Sequence, residues 1–161
     1  MSELLRELDE MPLSLLDTEA DGLHRVLGGP TLFHLRGGRE PALFICVLMH
    51  GNETGGWDAV RKVLRECVDA DGLQLPRSLS LFIGNTAAAE QGVRHLPDQP
   101  DYNRVWPGSE THDTPEHELM RAVMDRMADR EIFASIDLHN NTGLNPHYAC
   151  VNVLEHQSLH L

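Results

Sequence analysis

The sequence predicts an α/β fold, a three-layer arrangement in which a mostly parallel mixed sheet carries helices on both faces. Residues 42–49 are all apolar, and such a run is typical of a central parallel strand that is covered on both faces. A helical pattern begins at Thr54, and a second apolar run occupies Leu79–Ile83. Strand, helix and strand of these lengths predict a right-handed βαβ unit with its two strands paired in parallel.

The segment before the central strand predicts short elements. Leucines in residues 2–10 recur at helical spacing after Ser2, a candidate cap, and predict an amphipathic helix. Residues 23–27 and 31–36 flank a Gly-Gly-Pro sequence, which predicts an N-terminal hairpin. We expect this hairpin to form an edge of the sheet.

Two longer amphipathic helices are predicted after the central strand. From Thr54, apolar residues recur at helical spacing with charged residues between them, until Asp71-Gly72 marks a loop. Thr114 is a candidate N-cap of the second helix, Pro115 suits its first position, and acidic residues occupy its first turn. The stripe that we expect this helix to bury consists of Leu119, Met120, Val123, Met124 and Met127.

The rest of the chain predicts loops and two further strands. Residues 86–113 are polar and contain three prolines, and a stretch of this length without regular structure is usually functional. Residues 132–138 predict a strand, residues 140–146 a turn-rich loop, and residues 148–154 one more strand.

Charge and composition limit the class of partner. The net charge of −12 argues against a nucleic-acid partner and does not support binding to an anionic membrane. No apolar run approaches the roughly 20 residues of a membrane span. Three cysteines in apolar contexts predict reduced thiols, and the N-terminus has no signal-peptide pattern, so we expect a cytoplasmic protein. The sequence leaves open whether the protein forms a homo-oligomer.

Metal-binding residue types follow two of the predicted strands. His50 and Glu53 come directly after the central strand, and Gly51 allows the tight turn that aims both side chains at one point. Zinc accepts histidine nitrogen and glutamate oxygen, and a catalytic zinc usually takes three protein ligands. His139, at the end of the strand predicted over 132–138, is the candidate third ligand, with Asp137 beside it as a supporting acid.

A larger pattern surrounds these residues within residues 41–155. Five motifs occur in this order: His50-Gly51-Asn52-Glu53, Gly84-Asn85, Arg94, Asp101-Tyr102-Asn103-Arg104 and Asp137-Leu138-His139. Together they resemble the succinylglutamate desuccinylase/aspartoacylase family, which belongs with the zinc carboxypeptidases. The resemblance implies a carboxypeptidase-like sheet and one zinc ion per chain, held by the two histidines and the glutamate of the first and last motifs.

The resemblance also implies substrate-binding and catalytic roles. Arg94 would polarise the scissile carbonyl and stabilise its oxyanion. Asn103 and Arg104 would hold a carboxylate of the substrate, a task that suits the planar, doubly donating guanidinium. Asn140, directly after the third zinc ligand, is expected to line the substrate pocket, although a plain turn explains it equally well.

Two positions depart from the family pattern. Thr86 stands where the family usually has proline after Gly-Asn. The family's general base is a glutamate some tens of residues beyond the third ligand, whereas Glu155 is the only acid after His139 in this sequence and lies too close to match it. We therefore expect residues 1–161 to be a single zinc-hydrolase domain that forms the N-terminal part of a longer chain.

These features predict a zinc-dependent hydrolase, an amidohydrolase or deacylase. It would cleave the amide bond of an N-acyl amino acid, such as N-succinylglutamate or N-acetylaspartate, through a metal-activated water. Its partner would be a small carboxylate substrate. The alternatives are a carboxypeptidase-like peptidase and a metal- or ligand-binding module without turnover.

Overall fold

The structure of the protein, a computed structural model, is built on a central mixed sheet. It describes residues 4–110, 113–141, 143–144, 146 and 148–151. The strands are β1 (Arg6–Leu8), β2 (Thr31–Leu35), β3 (Ala42–Val47), β4 (Val68–Asp69), β5 (Gly72–Leu73), β6 (Leu79–Ile83) and β7 (Ile132–Asp137). The α-helices are α1 (Leu23–Leu27), α2 (Gly55–Glu66), α3 (Thr86–Glu90) and α4 (Pro115–Ala128). Short 3₁₀ turns occupy Leu13–Asp17, Ala20–Gly22 and Tyr102–Arg104.

Five strands form the main sheet in the order β1-β2-β6-β3-β7. β3 pairs in parallel with both β6 and β7, and β1 pairs in parallel with β2. The antiparallel pair is β2 with β6. β4 and β5 form a separate small hairpin. The predicted mostly parallel mixed sheet and the predicted parallel βαβ unit, β3-α2-β6, are confirmed.

Both faces of the sheet are covered by helices, as predicted. On one face, Leu81 of β6 belongs to a core cluster with Trp57 and Leu64 of α2. On the other face, Phe82 belongs to a second cluster with Met120 of α4. Successive side chains of a strand point to opposite faces, and both Leu81 and Phe82 are fully buried. This double burial explains why β3 and β6 are almost continuously apolar.

The helix predicted from Thr114 is confirmed as α4. The Thr114 hydroxyl oxygen accepts a hydrogen bond from the His117 N–H at 3.1 Å, and Pro115 begins the helix. The buried stripe is confirmed at Leu119 and Val123. Met124 is 45% exposed, so its assignment to the stripe is wrong. The polar stretch 86–113 contains α3 and a 3₁₀ turn, which the pattern did not predict.

The strand predicted over residues 31–36 is confirmed as β2, but two other N-terminal predictions are wrong. Leu23–Leu27 is a helix, so the predicted hairpin with β2 does not form, and Gly28, with φ +77°, caps the helix end. A five-residue apolar run fits a strand and a helix equally well. Arg6–Leu8, within the predicted helix, is instead the edge strand β1, because parallel pairing with β2 overrides the local helical spacing.

The strand predicted over 148–154 is also not found where the structure describes it. Residues 148–151 have no strand structure, and residues 152–154 lie outside the described residues. Tyr148 is 65% exposed and Val151 is 42% exposed, so the packing that stabilises a strand is missing at these positions. Among the described residues, no helix is long and apolar enough to cross a membrane.

Candidate metal centre

The carboxyl ends of β3 and β7 bring the predicted ligands together. These strands are parallel neighbours, with Cys46 opposite Asp137, and the Leu138 N–H continues the pairing by donating to the Cys46 carbonyl oxygen at 3.0 Å. His50 and His139 therefore follow strands that end side by side. This edge of an open α/β sheet is where ligand sites usually form.

The loop that carries His50 and Glu53 packs directly on α3. The Gly51 N–H donates to the Arg94 carbonyl oxygen at 3.0 Å, and the Glu53 N–H donates to the His50 carbonyl oxygen at 3.1 Å. A Cβ atom at Gly51 would lie 2.3 Å from the carbonyl carbon of Ala88. Because that neighbour is backbone, only glycine fits at this position without moving α3.

Two imidazole rings face one carboxylate. Nδ1 of His50 lies 2.9 Å from Oε1 of Glu53, and Nδ1 of His139 lies 2.7 Å from Oε2 of the same group. One ligand atom from each of the three side chains lies within 4.8 Å of the other two. This is a group of the type and number that a zinc site requires.

The Nε2 atom of each ring contacts a carboxylate of its own. Nε2 of His50 lies 3.0 Å from Oδ1 of Asp101, and Nε2 of His139 lies 2.9 Å from Oδ2 of Asp137. Metal-binding histidines almost always donate their other ring N–H to such an acceptor, which leaves the first nitrogen free for the metal. The donor set and its supporting acids therefore fit a metal ion.

Sequence reasoning singled out Asp137 but not Asp101 as a supporting acid. Asp101 lies 51 positions from His50, and nothing local in the sequence couples the two. The available signal was its place in the fourth motif, two residues before Asn103. Glu155, the acid considered as a base, lies outside the described residues.

Hydrogen bonds keep the carboxylates of the site charged. Burial would raise the pKa of Asp101, but hydrogen bonds from the Asn103 N–H, Arg94 and His50 lower it to about 2. Burial likewise opposes ionisation of Glu53, and the hydrogen bond from His139 lowers its pKa all the same. The hydrogen bond to Asp137 raises the pKa of His139 to about 9, against the effect of burial. The ionised carboxylates of Glu53 and Asp101 therefore lie against a protonated His139 and against Arg94 in the metal-free chain.

Arg94 lies at the rim of this group. Its Nε and Nη2 donate to Oδ2 of Asp101 at 3.2 and 2.9 Å, and its Nη1 lies 3.3 Å from Oε1 of Glu53. Gln99 anchors the segment that carries Arg94: its Oε1 accepts from Asn85 Nδ2 at 3.0 Å and from the Leu96 N–H at 3.3 Å. The guanidinium is therefore held by the candidate ligand Glu53 and by Asp101, the acid that contacts His50.

The predicted substrate-binding residues surround the same point. Nδ2 of Asn103 lies 2.9 Å from Nε2 of His139. The Asn140 N–H donates to Oε2 of Glu53 at 3.1 Å, and its side-chain oxygen packs against Gly55. Arg104 is exposed, and its guanidinium donates to the Asn103 carbonyl oxygen at 3.2 Å. Asn103 and Asn140 therefore contact the candidate ligands directly, whereas the Arg104 side chain has no hydrogen bond to them among the described residues.

Fold and site together define an α/β protein with a candidate metal centre at the carboxyl ends of parallel strands, an architecture suited to hydrolysis. The family model of the succinylglutamate desuccinylase/aspartoacylase catalytic domain matches residues 39–160, well over half of the chain. The chain therefore belongs to the succinylglutamate desuccinylase/aspartoacylase family, and the resemblance seen in its motifs is confirmed. Neither the curated proteins nor the solved structures that were compared gave a match.

Proposed function

We propose that this chain carries the metal centre of a zinc-dependent hydrolase that cleaves the amide bond of an N-acyl amino acid. The family match supports a catalytic domain of this kind. The observation that carries the proposal is the convergence of ligand atoms from His50, Glu53 and His139 within 4.8 Å of one another. N-succinylglutamate and N-acetylaspartate are the candidate substrates.

We assign one zinc ion to Nδ1 of His50, Nδ1 of His139 and the carboxylate of Glu53. Mixed nitrogen and carboxylate donors suit zinc, whereas Ca²⁺ and Mg²⁺ take oxygen ligands. Asp101 and Asp137 would keep the ring protons on the Nε2 atoms, so that each Nδ1 offers its lone pair. Zinc, when bound, supplies a Lewis acid that polarises a carbonyl oxygen and lowers the pKa of water.

Arg94 is our candidate for stabilising charge on the scissile carbonyl oxygen. Its side chain is 45% exposed, so a bound molecule can reach part of it. Its contacts with Asp101 and Glu53 hold it in place before substrate arrives, and such preorganised donors stabilise a developing oxyanion without reorganisation. Arg94→Lys would keep the charge but lose the fork of donors.

The carboxylate of the substrate would be bound by Arg104 and Asn103, next to His139. Arg104 is exposed, and among the residues that the structure describes its guanidinium donates to the Asn103 carbonyl oxygen alone, so its other N–H donors suit a bidentate contact. Asn103 would donate from its amide. Asn140, whose backbone holds Glu53, would form the adjoining wall of the pocket.

One observation favours the second candidate, a metal-binding module without turnover. Each carboxylate that the structure describes at the site is already hydrogen-bonded: Glu53 with both histidines and Arg94, Asp101 with His50 and Arg94, and Asp137 with His139. A general base needs an acceptor that is free to take a proton from water. Turnover by this chain therefore decides between the two candidates.

The first test is the metal content of the purified, untagged chain. We expect about one equivalent of zinc in the wild type and its loss in His50→Ala, because catalytic zinc needs all three protein ligands. His95→Ala is the matched control, since His95 lies outside the group and bonds to the Leu96 carbonyl oxygen. Zinc retained by His50→Ala, or absent from the wild type after reloading, would contradict the assigned ligands.

The second test is turnover by the zinc-loaded chain. Hydrolysis of N-succinyl-L-glutamate or N-acetyl-L-aspartate supports the deacylase. Hydrolysis of a blocked dipeptide in preference to both supports a carboxypeptidase-like peptidase. Zinc binding with no hydrolysis of any of the three supports the metal-binding module.

A further inference from the structure

The Arg94 guanidinium contacts two carboxylates of the candidate metal centre. Its Nε and Nη2 donate to Oδ2 of Asp101 at 3.2 and 2.9 Å, and its Nη1 donates to Oε1 of Glu53 at 3.3 Å. The side chains of Glu53 and Asp101 are only 13% and 18% exposed. Charged carboxylates with so little access to water need a cation beside them. Arg94 supplies such a cation to both groups.

The two contacts of Arg94 differ in strength. Two of its N–H groups hold Asp101, whereas a single one holds Glu53, at the longest of the three distances. Oε1 of Glu53 also lies 2.9 Å from Nδ1 of His50, so Arg94 shares this oxygen with a candidate ligand. Among the described residues, the guanidinium has no other hydrogen bond. The contact with Glu53 is therefore the one that Arg94 can give up more readily.

Metal binding changes the surroundings of Glu53. Around a tetrahedral zinc ion with ligand distances of about 2.0–2.2 Å, neighbouring ligand atoms lie about 3.3–3.6 Å apart. In the structure, the Glu53 oxygens lie 2.9 Å from Nδ1 of His50 and 2.7 Å from Nδ1 of His139. Both rings are held at Nε2, one by Asp101 and the other by Asp137. The Glu53 carboxylate is therefore the group that must shift when a metal ion enters.

A bound dication also opposes the contact between Arg94 and Glu53. It compensates the charge of Glu53 and repels the guanidinium beside it. The backbone of Arg94 is fixed, because its carbonyl oxygen accepts from the Gly51 N–H at 3.0 Å. Two donors tie the side chain to Asp101, so Nη1 is the part of the guanidinium that is released.

We propose that Arg94 is a resident counterion of the metal centre, which competes with the metal ion for Glu53. Without metal, Nη1 of Arg94 binds Glu53. With metal, that bond is lost, Asp101 keeps the guanidinium beside the site, and Nη1 becomes available to an oxygen of the bound acyl amino acid. This inference rests on the proposed function, because it concerns the same metal site. It makes ligand binding by Arg94 depend on metal occupancy.

Zinc affinity tests the competition through the sign of the change. Arg94→Met keeps a long side chain and removes the cation. In competition with a chromophoric chelator, we expect it to bind zinc about three- to tenfold more tightly than the wild type, because one positive charge no longer opposes the dication. A residue that only braces the ligands would give weaker binding when it is replaced.

The outcomes of this measurement separate the two proposals. Zinc binding by the wild type, with equal or weaker binding by Arg94→Met, would overturn the counterion role and leave the proposed function standing. Failure of both chains to bind zinc would overturn the proposed function, and the counterion role with it.

Arg121→Met is the matched control, because it removes the same charge from the chain. Arg121 pairs with Glu118 on α4 and has no hydrogen bond to the site among the described residues. We expect its zinc affinity to equal that of the wild type, and the excess affinity of Arg94→Met to shrink as the salt concentration rises. Equal tightening in both variants would assign the effect to net charge and overturn the proposal.

Thermal unfolding of the metal-free chain gives a readout that does not need zinc. Arg94→Met leaves Glu53 and Asp101 without this cation, so we expect its unfolding midpoint to fall by about 2–4 °C. The variant should therefore be less stable without metal and yet bind metal more tightly. A midpoint equal to that of the wild type would overturn the counterion role.

Crystal structures of the chain with and without zinc locate the Arg94 side chain directly. With zinc, we expect the distance from Nη1 to Oε1 of Glu53 to increase from 3.3 Å to about 4 Å or more, while Nη2 stays within hydrogen-bonding distance of Oδ2 of Asp101. An Nη1 that still donates to Glu53 in the zinc-bound chain would overturn the proposed release.

Discussion

Replacement of Gly51 by alanine should destabilise the fold far more than the addition of one methyl group suggests. The new Cβ would lie 2.3 Å from both the carbonyl carbon of Ala88 and the nitrogen of Ala89. These are backbone atoms of α3 and cannot rotate away. Ordinary van der Waals contact begins at 3.4 Å, so the ligand loop and α3 must separate by about 1 Å.

The magnitude follows from what that separation breaks. α3 is tied to Asn85 through its cap, and the Gly51 N–H is tied to the Arg94 carbonyl oxygen. Overpacking costs roughly 1–3 kcal/mol, and loss of one buried hydrogen bond adds about 1 kcal/mol, so we expect Gly51→Ala to lower the free energy of unfolding by about 2–4 kcal/mol.

Urea denaturation followed by the fluorescence of buried Trp57 measures this change. Gly29→Ala is the matched control, because a Cβ there meets nothing within 4 Å, and we expect a change of less than about 0.5 kcal/mol. Gly55→Ala should lie between them, since its Cβ meets the movable side-chain oxygen of Asn140 at 2.6 Å. Equal stability of Gly51→Ala and Gly29→Ala would refute the reasoning.

Three further predictions concern Asp101, Gln99 and His34. Asp101→Asn should weaken zinc binding by about 10- to 100-fold in a chelator competition, because it replaces the carboxylate that holds His50; unchanged affinity would show that the contact does not matter. Gln99→Leu removes an acceptor shared by Asn85 and a backbone N–H, and should lower the free energy of unfolding by about 1–3 kcal/mol; urea midpoints equal to wild type would contradict this. Burial lowers the pKa of His34 below 6.5, in spite of its hydrogen bond to Glu7, so the unfolded chain binds its proton more readily than the folded one. That contribution to stability is present above pH 6.5 and is lost as the pH falls through the folded pKa; His34→Gln should therefore show a smaller loss of stability than wild type between pH 7 and pH 5, and an equal loss would assign the effect to other groups.

The part of the fold that the sequence predicted is the part that local pattern encodes. β3 and β6 are almost continuously apolar because both of their faces are buried. α2 and α4 carry apolar stripes, and α4 has a side-chain cap, features that depend on near neighbours in the sequence. The wrong predictions concern segments in which the local sequence pattern is short. Leu23–Leu27 fits either element, and Arg6–Leu8 becomes a strand through its pairing with β2.

The candidate site, like the fold, has a part that the sequence predicted and a part that it did not. The sequence by itself determined the family and the identities of His50, Glu53 and His139 as candidate ligands, because motif order and residue chemistry are written along the chain. Only the tertiary structure placed Asp101 on His50. Only the tertiary structure also set Gly51 against α3 and Asn103 against His139. These contacts join residues 36 or more positions apart, and the packing of a whole sheet, rather than any local pattern, decides which such residues meet.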